Sequence, residues 1–106
     1  MPRYLITGSY TSAGAKGVLA KGGSERRSAV QTLAESVGAT VETFDFAFGD
    51  DDIVTIINAP DNESIAAVTM TVGASGMVDI RTTVLLTPEE VDAAAQKSVT
   101  YRSPGQ

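Results

Sequence analysis

TVETFDFAFGDDDIVTII, residues 40–57, holds two strands and the turn between them. From Thr40 to Phe48 the side chains alternate. Phe44, Phe46 and Phe48 fall on one face, with Val41, Thr43, Asp45 and Ala47 on the other, which is the period of a strand with one buried side. Gly49-Asp50-Asp51-Asp52 follows as a hairpin connection, because Gly and Asp tolerate the backbone angles of a tight turn. Ile53 to Ile57 is then a mostly buried strand.

Working outward, Ser24 offers a helix cap, Ala29, Val30, Leu33 and Val37 follow at helical spacing, and Gly38 closes that helix. Before it, Thr11 and Ser12 offer a cap for a helix from Ala13 to Lys21. Gly14 and Gly17 weaken that helix, and Gly22-Gly23 interrupts or kinks it. Arg3 to Tyr10 alternates Tyr4, Ile6, Gly8 and Tyr10 with Leu5, Thr7 and Ser9, and is the first strand.

On the other side of the hairpin, Pro60-Asp61 starts a helix carrying Ile65, Ala66, Val68 and Val72, which ends at Gly73 to Gly76. Met77 to Leu86 is a fourth strand. Thr87-Pro88-Glu89-Glu90 is a capping box for a short terminal helix to about Lys97. The order strand, helix, strand, strand, helix, strand predicts an α+β, ferredoxin-like βαββαβ antiparallel sheet with helices on one face and a short C-terminal helix. One domain over residues 1–100 and a loose tail over residues 101–106 are expected.

Parity assigns Tyr4, Ile6, Phe44, Phe46, Phe48, Val54, Ile56, Val78, Ile80 and Val84 to the helix-covered face. The second face takes Leu5, Thr7, Ser9, Thr43, Asp45, Ile53, Thr55, Ile57, Arg81, Thr83 and Leu85. A water-washed sheet face normally carries more Lys and Glu than this, whereas an interface or cavity wall is mixed and lightly charged. The expectation is a homo-oligomer built through that face, with Arg81 and Asp45 pairing with each other or with a ligand.

The chain has 106 residues, 8 basic against 13 acidic side chains and a net charge of −5. That sign opposes nucleic-acid phosphates and anionic membrane surfaces, while Lys16, Lys21, Arg26 and Arg27 cluster in the first helical region and leave a local anion contact open there. With no cysteine and no histidine, thiol chemistry, disulfides and histidine-dependent triads are excluded. No apolar run reaches the ~20 residues of a membrane span, and the start lacks a signal-peptide pattern; a cytoplasmic protein without a cofactor is expected. Asp50, Asp51 and Asp52 diverge on a hairpin tip and lack the other ligands of a calcium loop, so no metal site is expected there. Gly8 to Lys16 stands at a strand-to-helix junction but fails the phosphate-loop pattern, since Lys16 is followed by Gly17.

Tyr4-Leu5-Ile6, Gly8-Ser9-Tyr10-Thr11, Gly14-Ala15-Lys16-Gly17, Phe46-Ala47-Phe48-Gly49 and Arg81 to Glu90 resemble the GYD domain family over nearly the whole chain. Gly49, Asp50 and Asp52 fit the family's pattern of Gly, an acidic residue, Tyr and Asp, while Asp51 stands where the Tyr is expected. The resemblance implies a bacterial protein and the fold above, and brings no substrate with it. The chain is also similar in length and pattern to the dimeric α/β-barrel superfamily, whose ferredoxin-like chains pair sheet to sheet around a cavity and include cofactor-independent oxygenases and isomerases.

Tyr4, Tyr10, Tyr101, Lys16, Asp45, Asp52 and Arg81 are the side chains able to orient or polarise a small ligand. The leading expectation is an oligomeric small-molecule-binding protein with its pocket between sheets, lined by Thr7, Ser9, Tyr10, Thr43, Asp45, Asp52, Thr55, Arg81 and Thr83. A cofactor-independent enzyme that positions substrate with Tyr10, Asp52 or Arg81 is the alternative, and a purely structural subunit is the third.

Overall fold

A computed structural model describes residues 1–106. Its elements run β1 (Arg3–Tyr10), α1 (Ser12–Lys21), α2 (Gly23–Glu35), β2 (Thr40–Phe46), β3 (Ile53–Asn58), α3 (Asn62–Ala74), β4 (Val78–Leu85) and α4 (Pro88–Ala95). The four strands form one antiparallel sheet in the order β2-β3-β1-β4. This is the ferredoxin-like arrangement, with two central strands, β3 and β1, flanked by β2 and β4.

The helix-side core contains Tyr4 and Ile6 from β1, Ile57 from β3, Ala34 and Ala39 around the end of α2, and Ile65 from α3. Pairing of Tyr4 with Ile57, Ile6 with Thr55 and Gly8 with Ile53 puts Ile53, Thr55 and Ile57 on this face. Val54 and Ile56 therefore lie on the opposite face, the reverse of the parity expected from sequence. Every residue from Ile53 to Ile57 is β-branched, so hydrophobicity alone does not choose a side. Register with β1 does, and a slip of one residue would invert the strand.

A bulge between Val41 and Thr43 makes a second correction. The extra residue turns Val41 onto the core side with Phe44 and Phe46, leaving Thr43 and Asp45 on the open face. β2 ends at Phe46, so Phe48 is fully exposed rather than part of the core.

Glycine settles the helix boundaries. Gly22 has φ +89°, and its N–H donates to the Val18 carbonyl, so the helical stretch divides into α1 and α2 there. Gly22 itself, rather than Ser24, occupies the cap position of α2. At the far end Gly38 has φ +74° and Ala39 N–H donates to the Ala34 carbonyl at 2.9 Å, the left-handed helix stop foreseen for that residue.

The capping box on α4 forms in both directions: Glu90 N–H donates to Thr87 Oγ1 at 3.1 Å and Thr87 N–H to Glu90 Oε1 at 3.0 Å. Yet α4 buries none of its residues. The molecule extends 57 × 32 × 24 Å with a radius of gyration of 16.9 Å, against about 13 Å for a compact chain of ~100 residues. The C-terminal segment departs from the body and exposes Leu86, Val91, Val99 and Tyr101.

Candidate functional site

The open face of the sheet is arranged in rows across the strands. One row runs Asp45, Val54, Thr7, Arg81, and the next runs Thr43, Ile56, Leu5, Thr83. In these two rows the central strands supply Leu5, Thr7, Val54 and Ile56, whereas Asp45, Arg81, Thr43 and Thr83 stand on the edge strands. No other part of the chain buries these residues: Leu5, Thr7, Val54 and Ile56 stay half-exposed, and Thr43, Asp45, Arg81 and Thr83 are exposed. An apolar centre with a polar rim is the anatomy of a protein interface.

Six of the expected site residues, Thr7, Ser9, Thr43, Asp45, Arg81 and Thr83, share this face. Thr55 does not. It is 3% exposed on the core side, where its hydroxyl donates to the Thr43 carbonyl at 2.6 Å. The alternation of β3 puts it there, and the hydrogen bond satisfies an otherwise buried hydroxyl.

Asp45 and Arg81 stand on opposite edge strands, three strand spacings or about 14 Å apart, so they do not pair within one chain. Arg81 instead donates to Asp51 in the β2–β3 connection. That connection folds back over the end of β1. Asp52 Oδ2 accepts from Tyr10 N–H at 2.8 Å, Asp52 N–H donates to the Gly8 carbonyl at 2.7 Å, and Ser9 Oγ donates to the Asp50 carbonyl at 3.3 Å. The three aspartates thus have different structural partners, and no group of three or more ligating side chains converges to hold a metal ion.

At the opposite end of the open face, Arg3 holds Glu42 by Nε at 3.3 Å and Nη2 at 2.7 Å, and Asn58 Nδ2 lies 3.5 Å from the same carboxylate. The Arg3 hydrogen bond draws the Glu42 pKa below the ordinary value. Tyr4 is a core ring: its hydroxyl donates to Asn62 Oδ1 at 2.5 Å, and burial raises its pKa. Lys16 and Tyr101 are exposed outside this face.

Tyr10 belongs to neither core nor open face. Its side chain lies at the end of β1 between two depressions. One, of about 310 Å³, runs between α1 and α2 to the start of β4; the other, about 470 Å³ and shallower, lies on the far side of α1 against Phe46, Phe48 and Asp52. The sequence does not show the α1–α2 cleft as a cavity, but two of its residues, Lys21 and Arg26, belong to the basic cluster where a local anion contact is open, and Arg26 falls at helical spacing with Val30, Leu33 and Val37, a cation in line with an apolar stripe.

The family model for the GYD domain matches residues 4–95. The chain belongs to the GYD domain family. No curated protein matches it. Among solved structures, the crystal structure of MtbAldR resembles this GYD domain with a TM-score of 0.57 at 22% sequence identity, covering 81% of this chain and 52% of that one. The GYD domain therefore spans about half the length of MtbAldR, and at this identity the likeness shows the fold alone.

Proposed function

We propose that this GYD domain is a subunit of a homo-oligomer in which the open sheet faces of two copies pack together and enclose a small-molecule site. The observation that carries this is the pair of rows on that face. A two-fold axis parallel to the strands and centred between β3 and β1 sets β2 of one copy over β4 of the other. Each row then meets itself reversed, so Asp45 opposes Arg81, Thr43 opposes Thr83, and Val54, Ile56 and Leu5 close an apolar middle. An interface of this isologous kind requires a surface complementary to itself, and these rows supply one.

The fold shared with the dimeric α/β barrels supports the same packing. Thr7, Ser9, Thr43, Asp45, Arg81 and Thr83 then line the space between the sheets. These hydroxyl and charged groups suit a small polar ligand. The exposed C-terminal segment offers Leu86, Val91 and Tyr101 as further contact with a neighbour.

Sedimentation of Ile56→Glu tests the proposal. A carboxylate in the middle of the face should yield a folded monomer, because Ile56 is not part of the subunit core. If the variant keeps the wild-type mass, the sheet face is not the interface.

A further inference from the structure

The cleft between α1 and α2 lies on the other side of the sheet from the proposed interface and within a single chain. α1 supplies Gly17, Val18 and Lys21, α2 supplies Glu25 and Arg26, and Met77 closes the end beside β4. At about 310 Å³ it has the size of a small ligand cleft. Its chemistry is that of paired donors against an apolar wall.

Arg26 takes part in neither of the chain's two ion pairs, Arg3 with Glu42 and Arg81 with Asp51, although acidic residues outnumber basic ones 13 to 8. Its Nε is buried without a hydrogen-bond partner, and so is the hydroxyl of Tyr10 on the same cleft. Buried donors are nearly always paired in native proteins, and two orphans bordering one cavity ask for an acceptor. Lys21 adds a second cation at the rim, against the single carboxylate of Glu25. Val18, Met77 and the alanines of both helices make the rest of the wall apolar.

We propose that this cleft binds a small carboxylate with an apolar body. The guanidinium of Arg26, with its planar fork of donors, receives the carboxylate in charge-assisted hydrogen bonds. A slight repacking on entry brings the Tyr10 hydroxyl its missing acceptor. Gly17 keeps the wall open: a β-carbon there would meet nothing within 4 Å, so the space that a side chain would fill is left to the ligand.

NMR titration of the ¹⁵N-labelled full chain with benzoate and with hexanoate, against benzyl alcohol as the uncharged control, tests the site. The carboxylates should move the amide signals of Val18, Gly22 and Met77 saturably, and the alcohol should not. Arg26→Met, which keeps the aliphatic stem, should weaken carboxylate binding by about tenfold or more. Gly17→Leu should abolish binding in a folded protein, and if that variant does not fold, Arg26→Met alone carries the mutational test. Absence of saturable shifts with either carboxylate overturns the proposal, as do equal binding of the alcohol, shifts confined to the open sheet face, or unchanged affinity in Arg26→Met. Because the cleft lies within one chain, Ile56→Glu should leave carboxylate binding intact even where it abolishes the oligomer.

Discussion

Gly14 in α1 packs so closely on Met77 that a β-carbon at Gly14 would come 2.0 Å from the Met77 carbonyl oxygen. The same oxygen accepts Thr11 N–H at 2.9 Å, and Thr11 Oγ1 donates to the neighbouring Gly76 carbonyl at 2.9 Å. The start of α1 is thereby fixed to the start of β4, and the glycine is what lets helix and strand backbones meet. Gly14→Ala should force them apart and cost about 1–3 kcal/mol, read as a lower urea midpoint with an unchanged slope. Gly17→Ala, one turn along in open space, should instead stabilise α1 by about 0.5–1 kcal/mol.

Acid should weaken the start of α3. Asp61 caps that helix by accepting Ser64 N–H at 2.8 Å and Ser64 Oγ at 2.7 Å, and these hydrogen bonds hold its pKa below the ordinary value. A depressed carboxyl pKa contributes stability that is fully present above the unfolded-state value and is lost as pH falls through the folded one. Chemical denaturation at a series of acidic pH values should therefore show a smaller loss for Asp61→Asn, which keeps a capping oxygen without titrating, than for the wild type.

Tyr4→Phe keeps the buried ring and removes its hydrogen bond to Asn62. The expected loss is about 1 kcal/mol, with no change in native mass. The Tyr4 pKa is raised by burial, so its contribution is complete below the ordinary tyrosine range and is lost as pH rises through the folded value. The wild type should accordingly lose more stability than Tyr4→Phe in alkali.

Charge placement on the open face gives a reversal test. Asp45→Arg should weaken self-association by placing like charges at both ends of one row, and Asp45→Arg combined with Arg81→Asp should restore it in part. Equilibrium sedimentation of the two variants reads the difference. Stability of the isolated subunit should change little on losing the Arg81–Asp51 pair, because the Arg81 side chain is 71% exposed and surface ion pairs contribute about 0–1 kcal/mol.

The order of elements was legible because each boundary carries local chemistry: the Thr87 capping box, the Gly38 helix stop, and the alternation of Arg3 to Tyr10. Sidedness was legible only where alternation separates apolar from polar. It held in β1 and β4, and failed in Ile53 to Ile57, where a uniformly β-branched strand takes its facing from the register with β1. That is why Thr55 was expected on the wrong face. Val41 was misplaced because a bulge leaves no mark in the alternation on its own side of Glu42. The α1–α2 cleft needs two helices and the β4 entrance brought together, and in the sequence only the basic cluster that contains Lys21 and Arg26 points toward it.

The native mass of the wild-type chain at micromolar concentration, by sedimentation velocity, tests the central claim most directly. Sheet-to-sheet association predicts an even multiple of the 11.0 kDa subunit. A single species at the subunit mass, with the Leu5, Val54 and Ile56 side chains open to solvent, would contradict it.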